Sequence, residues 1–237
     1  MTIHPTAVIH KNTKIAGDVE IGPYTIIGEN VQIGKGCKIF SHAVIGTQCQ
    51  DLKYKGERAF VKIGENTVIR EFVTINYATG EGEETVVGSN CLLMAYVHVA
   101  HNCKVGNNVV IANAGTLAGH VEIEDKAIIG GLTAIHQFCK IGSLSITGGC
   151  SKVVQDIPPY MLSDGHPAQS HSINAIGLRR NNVPEETRLN LKKAFKIIFR
   201  SGLSTLSAID KIQSEIPSSL EISHLVDFIK NSKRGIC

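Results

Sequence analysis

Aliphatic side chains return at every sixth position from Ile3 to Val153 of this 237-residue chain. Of the 26 positions in that series, 22 hold Ile, Leu or Val. The other four are Asp51, Glu57, Glu81 and Thr147. A period of six matches neither the 3.6-residue period of an α-helix nor the two-residue period of an ordinary strand. It is typical of a solenoid whose short strands bury their apolar faces only by stacking. The pattern therefore predicts an all-β solenoid of hexapeptide repeats.

Turn-forming residues follow the aliphatic position of each hexad in a fixed order. Glycine recurs one position later, as at Gly88 and Gly106, and asparagine recurs three positions later, as at Asn90 and Asn108. Both residue types tolerate sharp turns and positive φ angles, so each hexad is predicted to be a short strand followed by a corner. Residues four positions after the aliphatic one are small, as a narrow interior requires. The period alone leaves the handedness open.

Changes in periodicity divide the chain into three segments. Residues 1–160 are predicted to form the solenoid, residues 161–183 an irregular bridge, and residues 184–237 an α-helical region with an apolar face at helical spacing. Two interruptions leave the solenoid, at 51–62 and at about 79–85. Because insertions in solenoids commonly carry the binding surface, these loops are candidates for it.

The seven cysteines indicate neither a disulfide framework nor a zinc ribbon. Five occupy the small inward position of the hexad, where cysteine behaves as a small apolar residue. These are Cys37, Cys49, Cys91, Cys103 and Cys139. No run of about 18 apolar residues is present, and because the register already runs at Ile3 we expect no signal peptide. The expected protein is a reduced, cytoplasmic chain without stable membrane insertion.

The net charge of +3 conceals an asymmetry. Residues 1–177 carry 13 Lys and Arg against 15 Asp and Glu, whereas residues 178–237 carry 11 against 6. The basic C-terminal region favours an acidic protein partner or phosphates. A helical surface that only faces solvent would account for the same excess of positive charge. No basic stripe indicates a nucleic-acid partner.

Four histidines and a glutamine are predicted to line one outward face of the solenoid. If three hexads make one coil, residues 18 apart stack at about 4.8 Å. The series has His98 and His101 on one coil, His120 on the next, and His136 with Gln137 on the third. An outward histidine can deprotonate a hydroxyl because it titrates near neutrality, and a backbone N–H such as that at Gly119 can stabilise an oxyanion. Alternatively, histidines shared between subunits can bind zinc.

At these positions the chain resembles the family of acyl-carrier-protein-dependent UDP-N-acetylglucosamine O-acyltransferases of lipid A biosynthesis. The matching segments are 50–54, 98–103, 117–120, 136–139, 148–151, 158–160 and Asn174 with 177–180. The resemblance implies a left-handed parallel β-helix that forms a homotrimer, with active sites in the grooves between subunits. It implies no cofactor, since the acyl donor arrives on the phosphopantetheine of acyl carrier protein.

The resemblance also implies roles for individual residues. His101 is implied to be the general base and Gly119 the oxyanion-binding amide. The remaining positions are implied to line the sugar, nucleotide and acyl sites: Gln50, Asp51, Lys53, His98, His120, His136, Gln137, Gly149, Asn174, Arg179 and Arg180. The family reaction moves a (3R)-3-hydroxyacyl chain to the 3-hydroxyl of UDP-N-acetylglucosamine, the first step of lipid A biosynthesis. Glycine at 149 implies a relatively long chain, and the C-terminal helices resemble the segment that docks the acidic carrier protein.

Several positions depart from the family pattern. Asn76 and Tyr77 replace a His-Arg pair, Ile176 stands where a nucleotide-contacting Glu is common, and Asn102 stands where an Asp is frequent. A carboxamide at 102 can still orient the ring of His101 through its carbonyl oxygen. Because of Asn76 and Ile176, a UDP amino sugar acylated on nitrogen is an alternative acceptor. Two further alternatives are a γ-carbonic-anhydrase-like zinc enzyme and a non-catalytic scaffold. The spacing of metal-binding histidines that the first requires is absent, and the second has no need of stacked histidines.

Overall fold

The computed structural model describes residues 1–237, with 25 strands and four helices. The strands are β1 (Thr2–Ile3), β2 (Val8–Ile9), β3 (Lys14–Ile15), β4 (Glu20–Ile21), β5 (Ile26–Ile27), β6 (Val31–Ile33), β7 (Lys38–Ile39), β8 (Val44–Thr47), β9 (Phe60–Ile63), β10 (Val68–Ile69), β11 (Thr74–Asn76), β12 (Glu84–Val87), β13 (Leu92–Leu93), β14 (His98–Val99), β15 (Lys104–Val105), β16 (Val110–Ile111), β17 (Thr116–Leu117), β18 (Glu122–Ile123), β19 (Ile128–Ile129), β20 (Ala134–Ile135), β21 (Lys140–Ile141), β22 (Ile146–Thr147), β23 (Lys152–Val153), β24 (Met161–Gly165) and β25 (Ala168–Ile173). The helices are α1 (Ala175–Arg180), α2 (Glu185–Arg200), α3 (Thr205–Glu215) and α4 (Leu220–Lys230).

Every third strand belongs to the same sheet, so three strands make one coil of a triangular prism. The first sheet runs β1-β4-β7-β10-β13-β16-β19-β22-β24-β25, the second runs β2-β5-β8-β11-β14-β17-β20-β23, and the third runs β21-β18-β15-β12-β9-β6-β3. The pairs between successive coils are parallel, and Ile15 lies beside Ile33, three hexads further along the chain. The predicted solenoid of three hexads per coil is confirmed.

The aliphatic position of each hexad points into the prism and stacks on its equivalents. Val99 pairs with Leu117 and Leu117 pairs with Ile135, and the exposed fractions of the three side chains are 0%, 0% and 2%. They belong to a continuous core of 34 buried residues. All five inward cysteines are buried, as predicted, because the small position four residues later also faces inward.

The corners use positive φ at one fixed position of the hexad. Of 19 non-glycine residues with positive φ, 17 occupy the third position after the aliphatic one, and they include large side chains such as Leu132 and Phe138. The glycines one position after the aliphatic residue serve a different purpose. A β-carbon at Gly88 would lie 2.4 Å from the carbonyl oxygen of Gly106 on the next coil. Glycine is needed there because backbones approach closely, rather than because of positive φ.

Two insertions interrupt the prism without disturbing its register. Ile33 pairs with Ile63, and Ile63 pairs with Val87, so both of these coils are longer than the regular coil of three hexads. The first is longer by two hexads and the second by one. The excess leaves the prism as the loops 48–59 and 77–83. Both predicted interruptions are confirmed, although each loop ends slightly earlier than expected.

The irregular bridge predicted over residues 161–183 is wrong for most of its length. β24 continues the first sheet beside β22, β25 pairs with it antiparallel, and α1 follows. Gly165 and Pro167 are typical of irregular structure in a sequence, but Gly165 ends β24 and Pro167 lies in the turn before β25. The hairpin carries serines in place of alternating apolar residues, so neither the hexad nor a strand pattern marked it.

The other three helices lie within the predicted α-helical region 184–237. α2 follows Pro184, and the side chains of Ser204 and Ser219 cap α3 and α4 by accepting backbone N–H groups at 3.2 Å. Together with residues of the hairpin, the helices enclose a second cluster of 14 buried residues. No helix is long and apolar enough to cross a membrane.

A polar contact fastens the last helix to the prism. His224 of α4 has its Nε2 atom 3.0 Å from the Glu124 carboxylate and its Nδ1 atom 2.8 Å from the Tyr160 hydroxyl. The bond to Glu124 raises the pKa of His224. Burial alone would raise the pKa of Glu124, but hydrogen bonds from His224 and Ser143 outweigh it and hold that pKa below its usual value.

Candidate active site

Both insertions and the predicted histidines meet at one corner of the prism, between the second and third sheets. This histidine corner comprises residues 48–59, 77–83, 98–103, 118–121 and 136–139. Because the coils are in register, His101, Gly119 and Gln137 occupy the same place on three successive coils. The predicted stacking of functional residues on one face therefore follows from the regular three-hexad coil.

The two ring nitrogens of His101 face different groups of the corner. Its Nδ1 atom lies 3.0 Å from Oδ1 of Asn102. Its Nε2 atom lies over Gly119, where a β-carbon would approach it to 2.3 Å. The backbone N–H of Gly119 donates to no acceptor within the chain. A ring nitrogen able to accept a proton and an unused N–H group thus lie side by side, which suits a base next to an oxyanion site.

Asn102 is itself fixed by the shorter insertion. The backbone N–H of Thr79 donates to Asn102 Oδ1 at 2.9 Å, and Asn102 Nδ2 donates to the Thr79 carbonyl at 3.1 Å. Sequence reasoning missed Thr79, because it lies in a loop outside the hexad register and carries its contacts on the main chain.

His98 and His120 flank His101. The ring of His120 meets that of His101 edge-on with centroids 5.1 Å apart, and its face stacks on Phe138 at 4.6 Å. His98 Nδ1 lies 2.7 Å from the hydroxyl of Thr74. Burial lowers the pKa of both flanking histidines, and the positive charge on His101 lowers each pKa further. Both are therefore suited to hydrogen bonding as neutral rings near neutral pH.

The longer insertion brings an anion to the same corner. Asp51 Oδ1 accepts the backbone N–H of Lys53 at 2.9 Å, and this bond is the main cause of the lowered pKa of Asp51, with a further contribution from His101. Asp51 Oδ2 lies 3.5 Å from the Thr79 hydroxyl, so the two loops meet. Gln50 and the Lys53 side chain are exposed beside it. The carboxylate therefore adds a negative charge to the histidine corner.

His136 and Gln137 lie one coil beyond Gly119, toward the C-terminal end. Both are exposed, and His136 Nδ1 is 3.2 Å from the Gln137 backbone oxygen. They extend the histidine corner as an open polar surface.

Gly149 lies elsewhere on this chain. It follows β22 at the corner between the first and second sheets and is exposed, and a β-carbon there would meet the Gly131 carbonyl at 3.3 Å. Within one chain, Gly149 and His101 therefore lie at different corners of the prism.

Asn174 is committed to the fold. Its Oδ1 accepts the N–H of Gly177 at 3.0 Å and caps α1, and its Nδ2 donates to the Leu144 carbonyl at 2.8 Å. Arg179 and Arg180 are exposed at the end of α1. The cap presents the two arginines to solvent, while its own polar atoms are already paired.

The histidine corner offers neither a reactive thiol nor a cluster of metal ligands. Burial raises the pKa of the Cys103 thiol to about 12, and the thiol donates to the Ala118 carbonyl at 3.1 Å. It is therefore a packed side chain rather than a nucleophile. Within the chain, no group of three or more His, Cys, Asp or Glu residues is arranged to hold a metal ion.

Known proteins resemble the chain over its whole length. The acyl-[acyl-carrier-protein]–UDP-N-acetylglucosamine O-acyltransferase of Thermodesulfovibrio yellowstonii is 48% identical over 99% of this chain and 98% of its own, and that of Thiobacillus denitrificans is 42% identical over the same shares. The crystal structure of the UDP-N-acetylglucosamine acyltransferase of Bacteroides fragilis has a TM-score of 0.92 and 42% identity, and covers 100% of both chains.

Family models agree with the two parts of the structure. Residues 1–35, 12–47 and 84–119 match the bacterial transferase hexapeptide model, and residues 156–237 match the second domain of UDP-N-acetylglucosamine O-acyltransferase. The left-handed parallel β-helix of hexapeptide repeats places the chain among the hexapeptide-repeat transferases. Within that class, the chain belongs to the acyl-[acyl-carrier-protein]–UDP-N-acetylglucosamine O-acyltransferase family, and it is an acyltransferase. The predicted fold class, family and enzyme class are confirmed.

Proposed function

We propose that the protein transfers a (3R)-3-hydroxyacyl chain from acyl carrier protein to the 3-hydroxyl of UDP-N-acetylglucosamine, in lipid A biosynthesis. The observation that supports this proposal is that His101 Nε2 lies next to Gly119, whose backbone N–H has no acceptor within the chain. The names of relatives at 48% and 42% identity supply the substrate classes.

In the proposed reaction His101 acts as the general base. Its Nε2 accepts the proton of the sugar hydroxyl while the oxygen attacks the thioester carbon. The N–H of Gly119 donates to the resulting oxyanion. Collapse of the intermediate breaks the carbon–sulfur bond, and the imidazolium returns its proton to the departing phosphopantetheine thiolate. The products are an ester and a free thiol, and no cofactor is consumed.

Neighbouring residues support the charges of this sequence. Asp51, ionised beside His101, stabilises the imidazolium, and the neutral rings of His98 and His120 hydrogen bond to the sugar or acyl oxygens. Exposed Lys53 and Gln50 on the same loop are available for the substrate, as are His136 and Gln137 one coil away.

We further propose that the active site is completed in a homotrimer. In one chain Gly149 lies at a different corner from His101. Packing of that corner against the histidine corner of another copy would allow Gly149 to set the length of the acyl groove, and would bring Asn174, Arg179 and Arg180 toward the nucleotide. Asn174 would contribute through its cap of α1, since its side chain is already paired.

A transfer assay tests the reaction. Purified protein is given UDP-N-acetylglucosamine with 3-hydroxyacyl carrier proteins of several chain lengths, and the ester product is measured. We expect transfer that favours longer chains. The variant His101→Ala should lose about 10²-fold to 10⁴-fold in kcat, the range that general-base catalysis contributes.

The matched control is His10→Ala, because His10 is an exposed histidine at the same corner of the first coil. It should retain the wild-type rate. Near-normal transfer by a folded His101→Ala protein would exclude the assigned base. Transfer to a UDP amino sugar but not to UDP-N-acetylglucosamine would replace the ester with an amide as the product.

A further inference from the structure

We propose that the 77–83 insertion orients the catalytic base, with Asn102 and the main chain of Thr79 as positioning residues. The inference rests on the proposed role of His101 and concerns how its ring is held. Three groups carry it: the imidazole of His101, the carboxamide of Asn102 and the peptide groups on either side of Thr79.

The two bonds to Thr79 fix which end of the carboxamide faces the ring. The Thr79 N–H, 2.9 Å from Oδ1, can only donate, and its carbonyl, 3.1 Å from Nδ2, can only accept. Rotating the amide of Asn102 by half a turn would oppose donor to donor and acceptor to acceptor. The oxygen of Asn102 is therefore the atom that meets His101.

That orientation determines the tautomer of the base. Asn102 Oδ1 has two lone pairs, one of which takes the Thr79 N–H, and the other faces His101 Nδ1 at 3.0 Å. Since Oδ1 only accepts, Nδ1 carries the hydrogen when the ring is neutral. Nε2, the atom over Gly119, then keeps its lone pair and is ready to accept a proton.

The backbone at 102 also favours asparagine. Asn102 has a φ of 57°, a left-handed conformation in which Asn and Asp are tolerated better than most residues. Its N–H is held by the Thr85 hydroxyl at 3.0 Å. An aspartate would place a carboxylate oxygen where Nδ2 now meets the Thr79 carbonyl at 3.1 Å. Two acceptors would then oppose each other, so this loop matches a carboxamide.

Two substitutions separate orientation from folding. Asn102→Gly removes the carboxamide and tolerates the positive φ, so the ring can take either tautomer. We expect kcat to fall about tenfold or more with KM unchanged, because a protonated Nε2 forfeits general-base catalysis. Asn102→Asp puts an anion beside the ring and stabilises its protonated form, so the acidic limb of the kcat/KM profile should move to higher pH.

Asn108 provides a matched control. It is exposed, occupies the equivalent place in the next hexad, and has the same φ of 57°. Asn108→Gly and Asn108→Asp carry the same backbone and charge changes away from the histidine corner. Both should leave kcat and the pH profile unaltered.

Ring ¹⁵N NMR of histidine-labelled protein reads the tautomer independently of turnover. We expect neutral His101 to carry its hydrogen on Nδ1 in the wild type. In Asn102→Gly, we expect the neutral ring to exchange between the Nδ1–H and Nε2–H tautomers. A wild-type ring protonated on Nε2 would overturn the inference. So would an Asn102→Gly enzyme within twofold of the wild-type kcat, or an unmoved acidic limb in Asn102→Asp. If the wild type transfers no acyl chain, the proposed function fails while the NMR result still decides this inference.

Discussion

At the scale of single residues, the site depends on an absent side chain. Gly119 leaves the space that the His101 ring occupies, since a β-carbon would come within 2.3 Å of Nε2. The hexad repeat alone placed both residues on one column of the prism. It carried no sign that the ring of His101 covers the glycine, because that contact depends on the ring's rotamer.

Replacing Gly119 with alanine should therefore displace the His101 ring, the proposed base. Because a misplacement of about 1 Å can cost about 10²-fold in rate, we expect a fall in kcat of that order for Gly119→Ala, with a normal thermal transition. Steady-state kinetics and thermal unfolding of the variant provide the measurement. Gly17→Ala is the control, since a β-carbon at Gly17 meets nothing within 4 Å. A Gly119→Ala enzyme with more than half the wild-type kcat would contradict the geometry.

Residues whose roles rest on loop or main-chain contacts were the least predictable. The hexad identified His98, His101, His120, His136 and Gln137 as one stripe, and the structure places them there. Thr79 and Thr74 were missed. Thr74 pairs in register with His98, so the repeat itself held the signal, whereas Thr79 lies outside the repeat.

At the scale of elements, the contact between α4 and the prism has a pH optimum. The raised pKa of His224 means that its contribution is complete below the ordinary histidine pKa and is lost as pH rises through the raised value. The lowered pKa of Glu124 means that its contribution is complete above the ordinary glutamate pKa and is lost on acidification. Glu221 and Asp227 of α4 and Tyr160 are the other titratable groups nearby. The pair is strongest between about pH 4.5 and pH 6.5.

The variant Glu124→Gln should consequently lose stability in that window. We expect Tm to fall by about 2 °C or less, since the pair is partly exposed and a domain of this size shifts by only a few degrees per kcal/mol. The difference should shrink at alkaline pH. Glu122→Gln removes an exposed ion pair with Lys140 on the same sheet and serves as the control. An equal loss for Glu124→Gln at every pH would exclude the ionic account.

The predictability of an element followed the strength of its period. β14, β17 and β20 were implied by one aliphatic residue each, and α2 by a proline followed by a helical face. The β24–β25 hairpin was missed because it pairs through serines and a Gly-His-Pro turn, which also occur in loops. Its place in the first sheet is set by β22, a tertiary contact absent from local sequence.

At the scale of the whole molecule, charge and apolar surface are separated along α2. Leu191, Ala194 and Phe195 are buried in the second cluster, while the basic side chains on the other face are exposed. These are Lys192, Lys193, Lys196 and Arg200. The proposed carrier protein is acidic, and such a face would attract it.

Reversing three of these charges tests the carrier surface. The triple variant of Lys192, Lys193 and Lys196 to Glu should raise KM for acyl carrier protein and weaken its dependence on salt, with KM for the sugar nucleotide unchanged. Steady-state kinetics at several ionic strengths give both quantities. Reversal of Lys11, Lys14 and Lys35, at the opposite end of the prism, is the control. Equal kinetics for the two triple variants would show that the basic face of α2 does not bind the carrier protein and only faces solvent.

The five buried cysteine thiols of the prism can report local unfolding of individual coils. They occur at different heights along the axis, at Cys37, Cys49, Cys91, Cys103 and Cys139. In a solenoid each coil contacts only its neighbours, so opening can spread coil by coil. Each thiol becomes reactive only when its own coil opens. The order in which a thiol reagent labels them would therefore record where this molecule frays first, with no engineered probe.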